Sequence, residues 1–137
     1  KLFEISKTFK KLGEGIKYFD GVTTWFERIN EYGKNIGVRI EHYIVSSGIK
    51  EIIEGTEIAQ YFKKIYACEF MYDYNGSIQW PKFAKNYTSK TQFLFRINKG
   101  VLTIDTERAD KLNRFTPENE RRIPFQNMIY IGDGLIH

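Results

Sequence analysis

The apolar positions change period several times along the chain, and each change marks an element. Val22, Trp25, Phe26, Ile29 and Tyr32 recur at the spacing of one helix face, which predicts a helix from about Val22 to Tyr32. Asp20 or Thr23 can cap it, and Gly33 and Gly37 end it. A shorter helix is expected from Lys7 to Leu12, with Ser6 as its N-cap and Gly13 and Gly15 as its breakers. From Arg39 to Ser46 the pattern turns to strand. The unbroken run Tyr43-Ile44-Val45 is that of a parallel strand covered on both faces.

Short helices at Lys50 to Glu54 and Glu57 to Lys63, the second capped by Thr56, lead to another buried strand at Ile65 to Cys68. Strand, helix, strand over so few residues predicts a right-handed parallel unit. Phe70 to Trp80 reads as two β-rich arms around the tight turn Asn75-Gly76, with Pro81 as the stop. Lys90 to Asn98 is amphipathic through Phe93, Leu94 and Ile97, and Lys99-Gly100 closes it. Asp105 to Phe115 is polar and carries no clear period, Pro117 and Pro124 bracket a charged loop, and Asn127 to Ile131 is read as the last strand.

Composition narrows the class. With 42% hydrophobic and 16% aromatic residues the chain is not a disordered one. At 137 residues it has the length of one domain able to bury roughly two-thirds of its unfolded surface. No apolar run approaches the ~20 residues that span a bilayer. The single cysteine, Cys68, cannot form an internal disulfide, and no leader-like segment precedes the first helix; both favour a cytoplasmic setting. The net charge of +4 is spread among acidic residues rather than gathered in one patch, which argues against a nucleic-acid partner.

Three short segments carry candidate chemistry. Ser46-Ser47-Gly48 follows an apolar strand; by itself this is an ordinary strand-to-helix turn in which a serine caps the next helix. The same geometry, a hydroxyl and backbone amides at the carboxyl end of a parallel strand, also suits an anion. Ser89-Lys90-Thr91-Gln92 opens a helix, where Lys90 opposes the helix dipole by a few tenths of a kcal/mol up to about 1. A charge-assisted bond to a phosphoryl group, worth roughly 1.5 to 3 kcal/mol, would outweigh that penalty. Gly132-Asp133-Gly134 follows Met128 to Ile131 and would set the Asp133 carboxylate at a sheet edge, where a hard cation takes oxygen ligands.

Taken in order and context, these segments resemble the second, third and fourth motifs of the haloacid dehalogenase-like hydrolases. A strand running into a two-armed hairpin, Ile65 to Pro81, is similar to the phosphoserine-phosphatase-type branch, and the resemblance runs from about Gly21 to Gly134. It implies an α/β fold with a three-layer Rossmann-like parallel sheet, a β-hairpin, and a helical-cap remnant over residues 1–20 preceding an incomplete core over 21–137. It also implies a Mg²⁺-dependent aspartyl-phosphate mechanism on a small phosphomonoester. Ser46 would bond the phosphoryl oxygens beside Ser47 and Gly48, Lys90 would balance the charge, and Asp133 would help hold Mg²⁺.

The nucleophile is missing from that set. No Asp-x-Asp occurs anywhere in the sequence, so the chain alone is expected to be inactive. Relatives place a further aspartate four residues after the motif's first, where this chain has His137. The alternative is a non-catalytic phosphate-binding or interaction module of the same fold, and the unfilled sheet position is a place for self-association. His42 is expected to be a packed or edge histidine, and Cys68 an unreactive thiol.

Overall fold

The computed structural model describes residues 2–75, 77–83, 87–102 and 115–132. They fall in two compact units, Lys1–Ala84 and Lys85–His137. The first contains helices α1 (Leu2–Glu14) and α2 (Val22–Asn35), strand β1 (His42–Ile49), the short helix α3 (Lys50–Glu54), a 3₁₀ turn at Glu57–Tyr61, and strands β2 (Phe62–Tyr72) and β3 (Ile78–Phe83). The second contains helix α4 (Tyr87–Lys99) and two 3₁₀ turns, Glu118–Glu120 and Phe125–Asn127.

β1 and β2 are parallel, as the apolar runs predict, with Ile44 opposite Ile65 and Val45 opposite Tyr66. In the connection between them α3 falls where expected, whereas the second helix is a 3₁₀ turn that ends at Tyr61, with Phe62 and Lys63 already in β2; Thr56 does not cap with its side chain, and its hydroxyl donates to the Ile53 carbonyl at 2.6 Å. β2 continues beyond Cys68 and pairs antiparallel with β3, which gives a three-stranded mixed sheet in the order β1-β2-β3. Pro81 does not stop the hairpin. It pairs opposite Phe70 within β3, an edge strand that can accommodate a residue without an N–H. At the hairpin's tip the Asp73 carboxylate accepts from the Asn75 and Ser77 amides at 2.9 and 2.8 Å; Gly76 lies outside the described residues.

Each N-terminal helix runs past the first of its two expected breakers, Gly13 and Gly33, and ends before the second, Gly15 and Gly37. Gly13 lies within α1 and is buried against α3, where a β-carbon would overlap the Ile52 carbonyl; one on Gly55 would overlap the Lys10 carbonyl in return. Gly33 lies within α2, where a β-carbon would stand 2.8 Å from the Val38 carbonyl oxygen. These glycines permit close backbone approach rather than ending helices. Ser6 is inside α1, not at its cap. The residue before α2 is Gly21, in the left-handed region at φ +89°, and neither Asp20 nor Thr23 caps with its side chain. Gly37, at φ +78°, follows α2 as expected.

Phe26 of α2 is the hub of the first core. Its ring stacks on Tyr61 at 5.0 Å and meets Phe62 and His42 edge-on at 5.2 and 5.1 Å, while Tyr66 and Ala67 fill the middle of β2. In the second unit α4 buries Phe93, Arg96, Ile97 and Asn98, and Gly100 ends it at φ +77°. Asn98 donates from Nδ2 to the Ile123 carbonyl at 2.7 Å and accepts the Ile123 amide on its own backbone carbonyl at 3.2 Å, tying the chain's later segment to the helix.

The last expected strand is not formed. Residues 128–132 join no strand ladder among the described residues, and Ile129 and Ile131 are 90% and 78% exposed. A β-prone run becomes a strand only when a neighbour completes its backbone bonds. The polar segment read at Asp105 to Phe115 lies, apart from Phe115, outside the described residues. The chain is thus α/β with a small mixed sheet.

Candidate functional site at the carboxyl edge of the parallel strands

The Ser46-Ser47-Gly48 segment does not form a simple turn. It belongs to β1 and bulges from it: Val45 faces Tyr66 and Ile49 faces Cys68, so four steps along β1 match two along β2. The two extra residues have no rung on the ladder. Three local features shape the bulge. Gly48 donates its amide to Ser46 Oγ at 3.0 Å, and Cys68 Sγ donates to the Ser47 carbonyl at 3.2 Å. A β-carbon on Gly48 would come within 3.2 Å of Ser46 Oγ, so a larger residue would crowd the bond that closes the bulge.

The expected serine cap is corrected by the same geometry. The cap position of α3 is Ile49, which has no side-chain oxygen to bond the helix, because β1 runs on through both serines to Ile49 before the helix begins. With five residues, α3 also contributes little dipole. What remains for an anion is the hydroxyl itself. A serine oxygen that accepts one hydrogen bond keeps its own proton to donate. Ser47 and Gly48 are exposed beside it.

Charge at this edge is paired. Lys50, directly after β1, reaches Glu69 at 2.7 Å and Glu54 at 4.0 Å. Deeper in, Glu51 Oε2 and the Tyr72 hydroxyl are buried. Burial first, and then the neighbouring Glu51 charge, pushes the Tyr72 phenol above its ordinary value. Sequence reasoning missed Lys50, Cys68 and Glu69 as members of this edge, since only strand register places Cys68 and Glu69 beside a segment some twenty residues earlier.

Lys90 is the fourth residue of α4, at the end of its first turn, where the dipole penalty is smaller than at the helix start. It belongs to the second unit. Asp133, Gly134 and His137 lie outside the described residues. The structure therefore brings Ser46, Ser47 and Gly48 together at one sheet edge. Among the described residues no group of three or more His, Cys, Asp or Glu side chains is placed to hold a metal ion, and Asp133, the expected ligand, is not one of those residues.

The opposite edge of the same two strands holds a cavity of about 300 Å³ lined by residues that include Asn30, Arg39, His42, Tyr61 and Lys63. Its polar groups largely satisfy one another. His42 Nε2 bonds Asn30 Oδ1 at 2.7 Å, Tyr61 donates to Glu27 at 2.9 Å, and Glu41 takes Lys63 at 3.1 Å and the Tyr43 hydroxyl at 2.7 Å. Burial against the rings of Trp25 and Phe26 lowers the His42 pKa, as befits the packed histidine expected from the sequence.

No protein-family model matches the chain. No solved structure matches it. The sequence is similar to an uncharacterized protein of Borreliella burgdorferi (strain ATCC 35210 / DSM 4680 / CIP 102532 / B31), with 37% identity over 140 residues. That alignment takes in 90% of this chain and 47% of the relative, so the chain spans about half the length of the curated relative it matches.

Proposed function

We propose that these residues are the interior part of a haloacid dehalogenase-like phosphatase, whose parent protein hydrolyses a small phosphomonoester through an aspartyl-phosphate. The observation that carries the reading is the placement of Ser46. It stands at the carboxyl end of a strand in a parallel pair, and its oxygen is held by the Gly48 amide so that its proton can meet a phosphoryl oxygen. The run of β2 into an antiparallel hairpin supports the phosphoserine-phosphatase-type branch.

In the parent protein Ser46 would bind and orient the phosphoryl group, and Lys90 would offset its charge. Asp133 would be one ligand of Mg²⁺, which when bound would screen the phosphoryl oxygens. The three-layer parallel sheet of that family belongs to the proposal, because its completion needs strands beyond β1 to β3. A cytoplasmic location belongs to it as well. Among the described residues no helix is long and apolar enough to cross a membrane.

A test lies in the coding sequence upstream of Lys1. The reading requires an Asp-x-Asp there after an apolar strand, and the protein that includes it should release inorganic phosphate from a phosphomonoester panel with Mg²⁺. An open reading frame extending upstream without that motif would overturn it. The absence of Asp-x-Asp from these 137 residues favours a second reading, a non-catalytic phosphate-binding module. On that reading the chain alone binds phosphate and the longer protein turns nothing over.

A further inference from the structure

We infer that Cys68 and Glu69, consecutive on β2, are positioning residues that clamp the Ser46 to Gly48 bulge from across the strand pair. The inference rests on the reading of Ser46 as a phosphoryl ligand. A bulge that inserts two residues into a parallel pair loses its ladder bonds over that stretch, and its backbone must be held by other means to present a hydroxyl in one direction. β2 supplies two such ties. The Cys68 thiol donates to the Ser47 carbonyl at 3.2 Å, at the middle of the inserted stretch. Glu69 holds Lys50 at 2.7 Å, which fixes the chain just after the bulge rejoins the ladder at Ile49. Between these ties the Gly48 amide closes onto Ser46 Oγ at 3.0 Å, so any loosening of the Ser47 carbonyl or of Lys50 is felt as rotation of the Ser46 hydroxyl. Neither residue touches the proposed phosphoryl group; each acts through the bulge.

The test uses the 137-residue chain, with amide hydrogen exchange at Gly48 and a titration of inorganic phosphate followed at the Ser46, Ser47 and Gly48 amides by NMR. Cys68→Ala should speed Gly48 exchange and weaken phosphate binding by roughly two- to fivefold each, the size of a lost S–H···O bond. Cys68→Ser, which keeps a donor, should restore both. Glu69→Gln should loosen the same amide, with little further effect from Lys50→Gln in its background, because the two residues act as one pair. Spectra unchanged at amides of β2 distant from the bulge would establish that the variants fold. The inference is overturned if Gly48 exchange is unmoved by Cys68→Ala and Glu69→Gln. It is overturned for Cys68 if Ala and Ser loosen the amide equally, since that is packing rather than hydrogen bonding. Wild-type amides unresponsive to phosphate would sink the phosphoryl reading, and with it the positioning role.

Discussion

Replacing Gly13 by alanine should destabilise the protein, although helix propensity alone predicts the reverse. Gly13 lies in the last turn of α1, and in an exposed helix the change would gain up to about 1 kcal/mol. Here the new methyl would overlap the Ile52 carbonyl and crowd Gly55 at 2.8 to 2.9 Å, and those atoms are backbone, which cannot rotate away. α1 must then retreat from α3, with an overpacking cost of typically about 1–3 kcal/mol, so even against the full propensity gain a net loss of up to about 2 kcal/mol is expected. Gly55→Ala presses on the Lys10 carbonyl from the other side of the same seam. Once the helices have parted for one methyl there is room for the second, so the double variant should cost less than the sum of the two. Gly15→Ala is the internal control. Its β-carbon would meet only the Leu12 carbonyl oxygen at 3.7 Å, an ordinary contact, so the variant should be neutral or slightly stabilising. Urea unfolding followed by circular dichroism gives the midpoints. A midpoint for Gly13→Ala at or above that of the wild type, with an unchanged slope, would refute the reasoning about the α1–α3 seam.

Other outcomes follow from the same structure. His42 is held below its ordinary pKa of 6.5, so the unfolded chain binds a proton more readily; stability should be full above about pH 6.5 and fall as the pH drops below it, and His42→Gln should flatten that slope in urea titrations at several pH values. The purified chain should show no turnover of chromogenic phosphate esters, because no Asp-x-Asp supplies a nucleophile and acid; activity that survives repurification and scales with this chain would defeat that. Mg²⁺ should bind it no tighter than millimolar, since one carboxylate rarely holds this reluctantly dehydrated ion, and a submillimolar calorimetric affinity abolished by Asp133→Asn would mean the site has been misread.

The spacing of apolar residues was enough to tell helix from strand over most of the described chain, while the element ends shifted by several residues: α1 starts at Leu2 rather than Lys7, and β2 at Phe62 rather than Ile65. Apolar runs at Tyr43 to Val45 and Ile65 to Cys68 mark the two strands that pair in parallel, β1 only half-buried and β2 buried at Tyr66 and Ala67, and the helical spacing of Val22, Phe26 and Ile29 marks the inward face of α2. Those are local consequences of side-chain periodicity. Whether a glycine breaks a helix is not local. Gly13 and Gly33 read as stops and lie inside helices, because what decides is the backbone of α3 or of residues 38–40 pressed against them. The Met128 to Ile131 run shows the opposite case: its residues suit a strand, yet a strand exists only with a partner strand, and it has none among the described residues. The site divides the same way. Ser46 and Gly48 could be singled out from the chain, being close in sequence and of telling types. That Ser46 is turned into a bulge rather than onto a helix, and that Cys68 and Glu69 stand across from it, follows from the register of β2 against β1, a relation between segments that no single stretch of sequence contains.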